Sequence, residues 1–203
     1  PRDDSARLFF WLCVFTVGAY MGGVHWSEIV VRPILTYAFV VFAVFVPVVS
    51  LHFGLVFPRI NPFHAQHRRL VLGTIYGLAL ADVSALFWAI ARIRWVGSNP
   101  IDVEAAIQGL RVLAFASIGL ALLFFVAFFV CLLSTYLRHS VKESERNQVK
   151  WILLATLLSF PLIFYLLWRA FVDPSRLGMS SAAWPMYMVS LMFTVAYALS
   201  ITR

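Results

Sequence analysis

Apolar residues in this chain fall into long unbroken runs, each closed by a short polar or basic segment, and none alternates with the period of a half-buried strand. Six such runs stand out, at about 8–24, 33–57, 70–96, 105–137, 151–171 and 184–202. Each is close to or above the roughly 20 residues that a helix needs to cross a hydrocarbon layer. Backbone groups inside lipid must be satisfied within their own segment, and these runs are too long and too continuously apolar for barrel strands. The pattern therefore predicts an all-α, polytopic membrane helical bundle of six transmembrane helices, forming a single module over residues 1–203. Pro33 suits the first turn of the second helix. Pro47 and Pro161 lie inside the second and fifth runs, where each removes a backbone donor and predicts a bend.

Composition agrees with that reading, since 62% of the residues are hydrophobic, 12% are charged and the mean hydropathy is +0.88. A soluble globular domain lies well outside this range. The net charge of +7 would suit a nucleic-acid partner if the basic residues shared one face, but they sit in short connections between apolar runs. They act as topology signals, which makes membrane lipids the expected partner and excludes nucleic acid. One set of alternate connections holds Arg2, Arg7, Arg59, Arg68, Arg69, Arg138, Lys142, Arg146, Lys150 and Arg203; the other holds Arg32, Arg92, Arg94, Arg169 and Arg176. That imbalance predicts an integral membrane protein with both termini in the cytoplasm. Trp26, Trp95, Trp151 and Trp184 fall near the expected interfaces. The charged segment RHSVKESERNQVK, 138–150, reads as a solvated extension of the fourth helix. The chain starts at Pro1 without a cleavable leader and stops directly after an apolar run, so it reads as an internal piece of a longer protein.

Catalytic signatures are absent: there is no nucleophile elbow, phosphate loop or HExxH pair, and no cofactor is expected. Cys13 and Cys131 lie inside apolar runs, where a thiol behaves as a small hydrophobe. His64 and His67, in FHAQH, have a spacing that can share a helical face, and interfacial or phosphate-headgroup contact is the favoured reading over a metal site. His52, near the end of the second run, is expected to be a hydrogen-bonded buried histidine. Asp82, in LALADVSAL, is the most informative residue, because an ionised carboxylate at mid-membrane is costly unless paired. Arg111 is the nearest intramembrane cation in sequence and differs from it in depth by about 6 Å in a helical hairpin. Asp82 either pairs with Arg111, or Arg111 reaches outward and Asp82 is protonated or bonded to Ser84, Ser117 or Tyr165. GAYMG at 18–22 and GTIYG at 73–77 fit close helix approach, favouring packing inside the bundle over a dimer seam.

Three stretches carry a family likeness: LHFGLVFPRINPF at 51–63, ERNQVKWILLA at 145–155 and WPMYMVSLMFTVAYALSITR at 184–203. Together they resemble the multi-spanning membrane region of bacterial sensor histidine kinases. His52, Phe53, Phe57 and Pro58 match that family's helix-exit motif; Gln148, Lys150 and Trp151 match the basic start of a later helix. The resemblance implies a sensory and signal-transmitting module coupled to a cytoplasmic output, working as a homodimer or with other membrane proteins. The phospho-accepting and ATP-binding regions of a kinase are missing from these residues, so no enzymatic activity is expected of them. Two other readings fit the same features: a non-catalytic membrane subunit, and a small transporter that uses Asp82 for proton coupling.

Overall fold

A computed structural model of the chain describes residues 2–24, 26–58, 60–96, 100–137, 143–172 and five positions between 188 and 196. Within these, every regular element is a helix: α1 Arg2–Val24, α2 Trp26–Val31, α3 Pro33–Val56, α4 Pro62–Gln66, α5 Arg68–Trp95, α6 Pro100–Leu137 and α7 Glu143–Val172. Three of them, α3, α5 and α6, are long and apolar enough to cross a membrane. The apolar part of α1, Ser5–Tyr20, is shorter. The expected span at 184–202 lies outside the described residues apart from Met188, Leu191, Met192, Val195 and Ala196, which are helical.

Helix α3 is the hub. It packs against α1, α2, α5 and α6, while α7 rests on α6. Its most apolar stretch is 39% buried, against 22% for α5 and 17% for α6. The remaining apolar surface faces outward: Ile34, Trp88, Trp95, Ile101, Val112 and Phe164 are all largely exposed. Such a surface is unfavourable in water and natural in lipid. Short connections make successive long helices antiparallel, so the start of α1, the end of α3, α4, the start of α5, the end of α6 and the start of α7 share one end. We call this the basic end, since it carries Arg7, Arg68, Arg69, Arg146 and Lys150.

The core sits toward that end. Val48, Leu51, Phe53 and Leu55 of α3 meet Ile75 and Ala79 of α5, Phe124, Phe128 and Leu132 of α6, and Val149 and Ile152 of α7. Aromatic rings join α1 to α3: Phe15 stacks on Phe45 at 5.4 Å and lies 6.0 Å from Phe42, and Phe9 lies 6.4 Å from Phe53. Small residues permit the closest approaches. Gly18 faces the Phe42 ring, and a Cβ at Gly54 would meet Phe128 Cδ2 at 2.6 Å. Gly73 and Gly77 have open space beside them, so GTIYG, unlike Gly18 of the first pattern, makes no close packing within the described bundle.

Several helix starts lie earlier than the hydropathy pattern suggests, α1 at Arg2 instead of about 8 among them. Helix α6 begins at Pro100 instead of about 105, because proline needs no amide partner in a first turn and Asp102 complements the positive end of the helix dipole. Gln108 Nε2 adds a hydrogen bond to Glu104 Oε1 at 3.0 Å. At 38 residues this helix is about 57 Å long, well beyond a hydrocarbon layer. The charged segment corrects the expectation more substantially. Residues 138–142 of it lie outside the described residues, and those from Glu143 onward form the opening of α7 and do not extend the preceding helix. Acidic residues such as Glu143 favour a helix N-terminus, and Val149 and Ile152 supply a fully buried face. Arg146 also returns to α6, placing its guanidinium 4.8 Å from the Tyr136 ring centre.

Candidate functional site

Polar side chains inside an apolar bundle must find each other, and two groups of them do so here. At mid-depth, the Ser117 hydroxyl on α6 lies 2.6 Å from Asp82 Oδ1 on α5. The same hydroxyl lies 2.9 Å from the Leu113 carbonyl, so its single proton has two acceptors and the shorter contact is to the carboxylate. Of the hydroxyl partners open to Asp82, Ser117 is the one in contact; Ser84 bonds its own helix at Leu80 O, 2.7 Å away. Arg111 is directed elsewhere. It is exposed, with its guanidinium 5.6 Å from the centre of the Phe115 ring on its own helix. The Asp82 and Ser117 contact ties α5 to α6 just beyond the hydrophobic core.

The second group lies at the basic end, where α3 leaves its apolar surroundings. His52 Nδ1 lies 3.0 Å from the Tyr76 hydroxyl on α5, and the two rings meet edge to face at 5.7 Å. One residue on, Phe53 enters the core and stacks on Phe57 with ring centres 4.9 Å apart. The helix stops at Val56, its last turn closed by the Phe57 amide donating to Phe53 O at 2.8 Å, and the Phe57–Pro58 bond is cis. The chain then folds back: the Asn61 amide donates to Leu55 O, and the Ala65 amide to Asn61 O, both at 2.8 Å. These bonds hold α4 beneath the end of α3. They press His64 against His52, ring centres 5.7 Å apart, with only 3% of His64 exposed. His67 is separated from it, standing exposed at the N-cap of α5.

His52 and His64 line a cavity of about 400 Å³ together with Arg7 and Leu8 of α1, Val56 of α3, Ile60, Ala65 and Arg68. His64 Nδ1 is buried without a hydrogen-bond partner. Burial, and then the neighbouring Arg68 charge, push the His64 pKa below its ordinary value, which keeps the ring neutral.

Of the other positions read from the sequence, Pro47 is buried in α3, where its missing amide leaves the Ala43 carbonyl without its helical donor, and Pro161 is exposed on α7. Gln148, Lys150 and Trp151 lie in the second and third turns of α7, with Gln148 and Trp151 half-buried and Lys150 exposed. Tyr76 did not stand out in the sequence, and Arg7 and Arg68 did so only as topology charges. A tyrosine in an apolar run, placed one helix away from an intramembrane histidine, is the signal that points to Tyr76. Among the described residues, no three His, Cys, Asp or Glu side chains gather in a way that would hold a metal ion. Comparison with family models, with curated proteins and with solved structures returns no match, so the function rests on this geometry and on the chain's own residues.

Proposed function

We propose that this chain is the sensory and signal-transmitting part of a bacterial membrane receptor, crossing the inner membrane six times with both termini in the cytoplasm. The three long apolar helices and the outward apolar surface support the membrane setting. The observation that carries the signalling reading is the hydrogen bond from α3 to α5 at the basic end. The helix against which α1, α2, α5 and α6 all pack carries, one turn before its end, a histidine bonded to Tyr76, beside a cavity that a ligand could fill.

Signalling requires two packings whose balance a ligand biases, and buried polar contacts between helices are natural points of difference between such packings. Here the contacts are His52 with Tyr76 and Asp82 with Ser117. Pro47 and Pro161 give two helices places to bend. The output lies in a cytoplasmic domain reached through the last helix, and the chain acts with lipids and a second copy as partners, without chemistry of its own.

The test joins the chain to a histidine-kinase catalytic core and measures autophosphorylation in lipid nanodiscs. Tyr76→Phe removes the hydroxyl that meets His52 Nδ1 while keeping the ring, and is expected to change the kinase output without changing the amount of folded protein. Asp82→Asn is expected to alter output as well. The unmodified protein in sealed vesicles should show no proton flux. Flux that is abolished by Asp82→Asn would make the chain a transporter, and output unaffected by either substitution would leave it a membrane subunit.

A further inference from the structure

The cavity at the basic end has a composition that the signalling reading does not explain. Its polar lining is cationic or convertible to cationic: Arg7 from α1, Arg68 from α5, and the two histidines. Among the described side chains, no carboxylate is in the lining. Arg68 also opens α5, a 28-residue helix, which places the positive end of that helix's dipole at the same wall. His64 contributes a buried nitrogen that has no protein partner. A buried polar atom left unpaired is costly, and such atoms are found where a ligand or water completes the bonding. Leu8, Val56 and Ile60 supply apolar wall beside these groups.

We propose that this cavity binds a phosphate group, clamped between Arg7 and Arg68 and hydrogen-bonded by His64. Guanidinium pairs suit phosphate oxygens because their planar forks donate two parallel bonds, and a dianion offsets the repulsion that two arginines and a helix N-terminus otherwise impose on each other. Burial and then Arg68 hold the His64 pKa below its ordinary value, and a bound anion opposes the Arg68 part of that shift. His52 is already held by Tyr76, so it shapes the wall and passes the occupancy of the site to α3 and α5. The cavity's volume of about 400 Å³ accommodates more than a bare phosphate, and its place at the end of the apolar helices puts a lipid phosphomonoester and a soluble phosphate ester equally within reach. Phosphate binding stands independently of the signalling reading, since it is measured without any output domain.

The experiment uses the full chain in two settings. In a maltoside detergent, which contains no phosphate, inorganic phosphate is titrated by calorimetry against chloride as a control. In nanodiscs of phosphatidylcholine with a small fraction of phosphatidic acid, retention of the phosphomonoester lipid is followed by native mass spectrometry. Saturable binding in the first setting identifies a soluble ligand, and selective retention in the second identifies a headgroup; either supports the site. Arg7→Gln and Arg68→Gln, both at exposed positions that do not hold the core, are expected to weaken binding by about tenfold or more each. His64→Gln should weaken it by less than the arginine changes. Arg69→Gln, an exposed neighbour outside the cavity, is the control and should alter affinity by less than about twofold. No saturable binding in either setting overturns the proposal. Equal losses for Arg7, Arg68 and Arg69 would also overturn it, because they would mean diffuse attraction to a basic surface.

Discussion

Gly54→Ala adds one methyl group at the place where α3 and α6 approach most tightly. The added Cβ would lie 2.6 Å from Phe128 Cδ2 and 3.1 Å from Cε2. A relaxed carbon pair sits at about 3.5–4.0 Å, so the ring or the helix must move by roughly 1 Å. Phe128 is 3% exposed and surrounded by the core of α3, α5, α6 and α7, which leaves it little room to give way. Overpacking of this kind costs about 1–3 kcal/mol. Replacing a helical glycine by alanine returns about 1 kcal/mol of backbone entropy, which would blur the result if Gly54 were changed alone. Gly119→Ala supplies the reference: Gly119 is also inside a helix but has nothing within 4 Å of its added Cβ, so it carries the entropy gain without the clash. Gly54→Ala should therefore be less stable than Gly119→Ala by about 1–3 kcal/mol, as measured by reversible unfolding in mixed micelles titrated with a denaturing detergent. Adding Phe128→Leu to Gly54→Ala should recover part of the loss, so that the double variant is more stable than the sum of the two single changes predicts. Equal stability of the two alanine variants, or strict additivity with Phe128→Leu, would refute the close packing of these helices.

Other contacts give three further expected outcomes. Ser117→Ala leaves the half-buried Asp82 carboxylate without its hydroxyl donor and should cost about 1–3 kcal/mol in the same unfolding assay, whereas the double change with Asp82→Leu should come close to neutral. His64 has a folded-state pKa below its ordinary 6.5, so the unfolded chain takes up a proton more readily; stability is then full above that value and declines as pH falls below it. His64→Gln should flatten the decline in unfolding midpoint, and an unchanged pH profile would place its origin elsewhere. After replacement of the two free cysteines, Cys13 and Cys131, impermeant thiol labelling should reach Gln66→Cys and Asn147→Cys from the cytoplasmic face only and Ser98→Cys from the outer face only. Reversed labelling would overturn the orientation.

The long helices were legible in the sequence because the requirement they meet is local: twenty or so apolar residues in lipid have one way to satisfy their backbone. Helix starts were less legible, since Pro100 and Glu143 act through capping and dipole effects that hydropathy does not register. Asp82 could be singled out by the cost of its charge, but its choice of Ser117 over Arg111 depends on the rotation of α5 and α6, which packing decides. The His64 environment was hidden for a different reason. Its segment reads as polar and basic, and only the fold-back that bonds Asn61 to Leu55 carries that histidine under the end of α3. Glycine patterns were equally ambiguous: Gly18 packs against Phe42 while Gly73 and Gly77 face open space, although the spacing is the same.

The central claim, that this bundle transmits a signal through its last helix, is tested most directly by rotating the output domain relative to that helix. With the chain joined after Arg203 to a histidine-kinase catalytic core, one to four alanines are inserted at the junction and autophosphorylation is measured at matched expression in nanodiscs. Each alanine turns the attached helix by about 100°, and four nearly complete a turn. Helical transmission predicts activity that rises or falls with phase and partly recovers at the fourth residue; a flat response across the series would contradict it and make the chain a passive anchor.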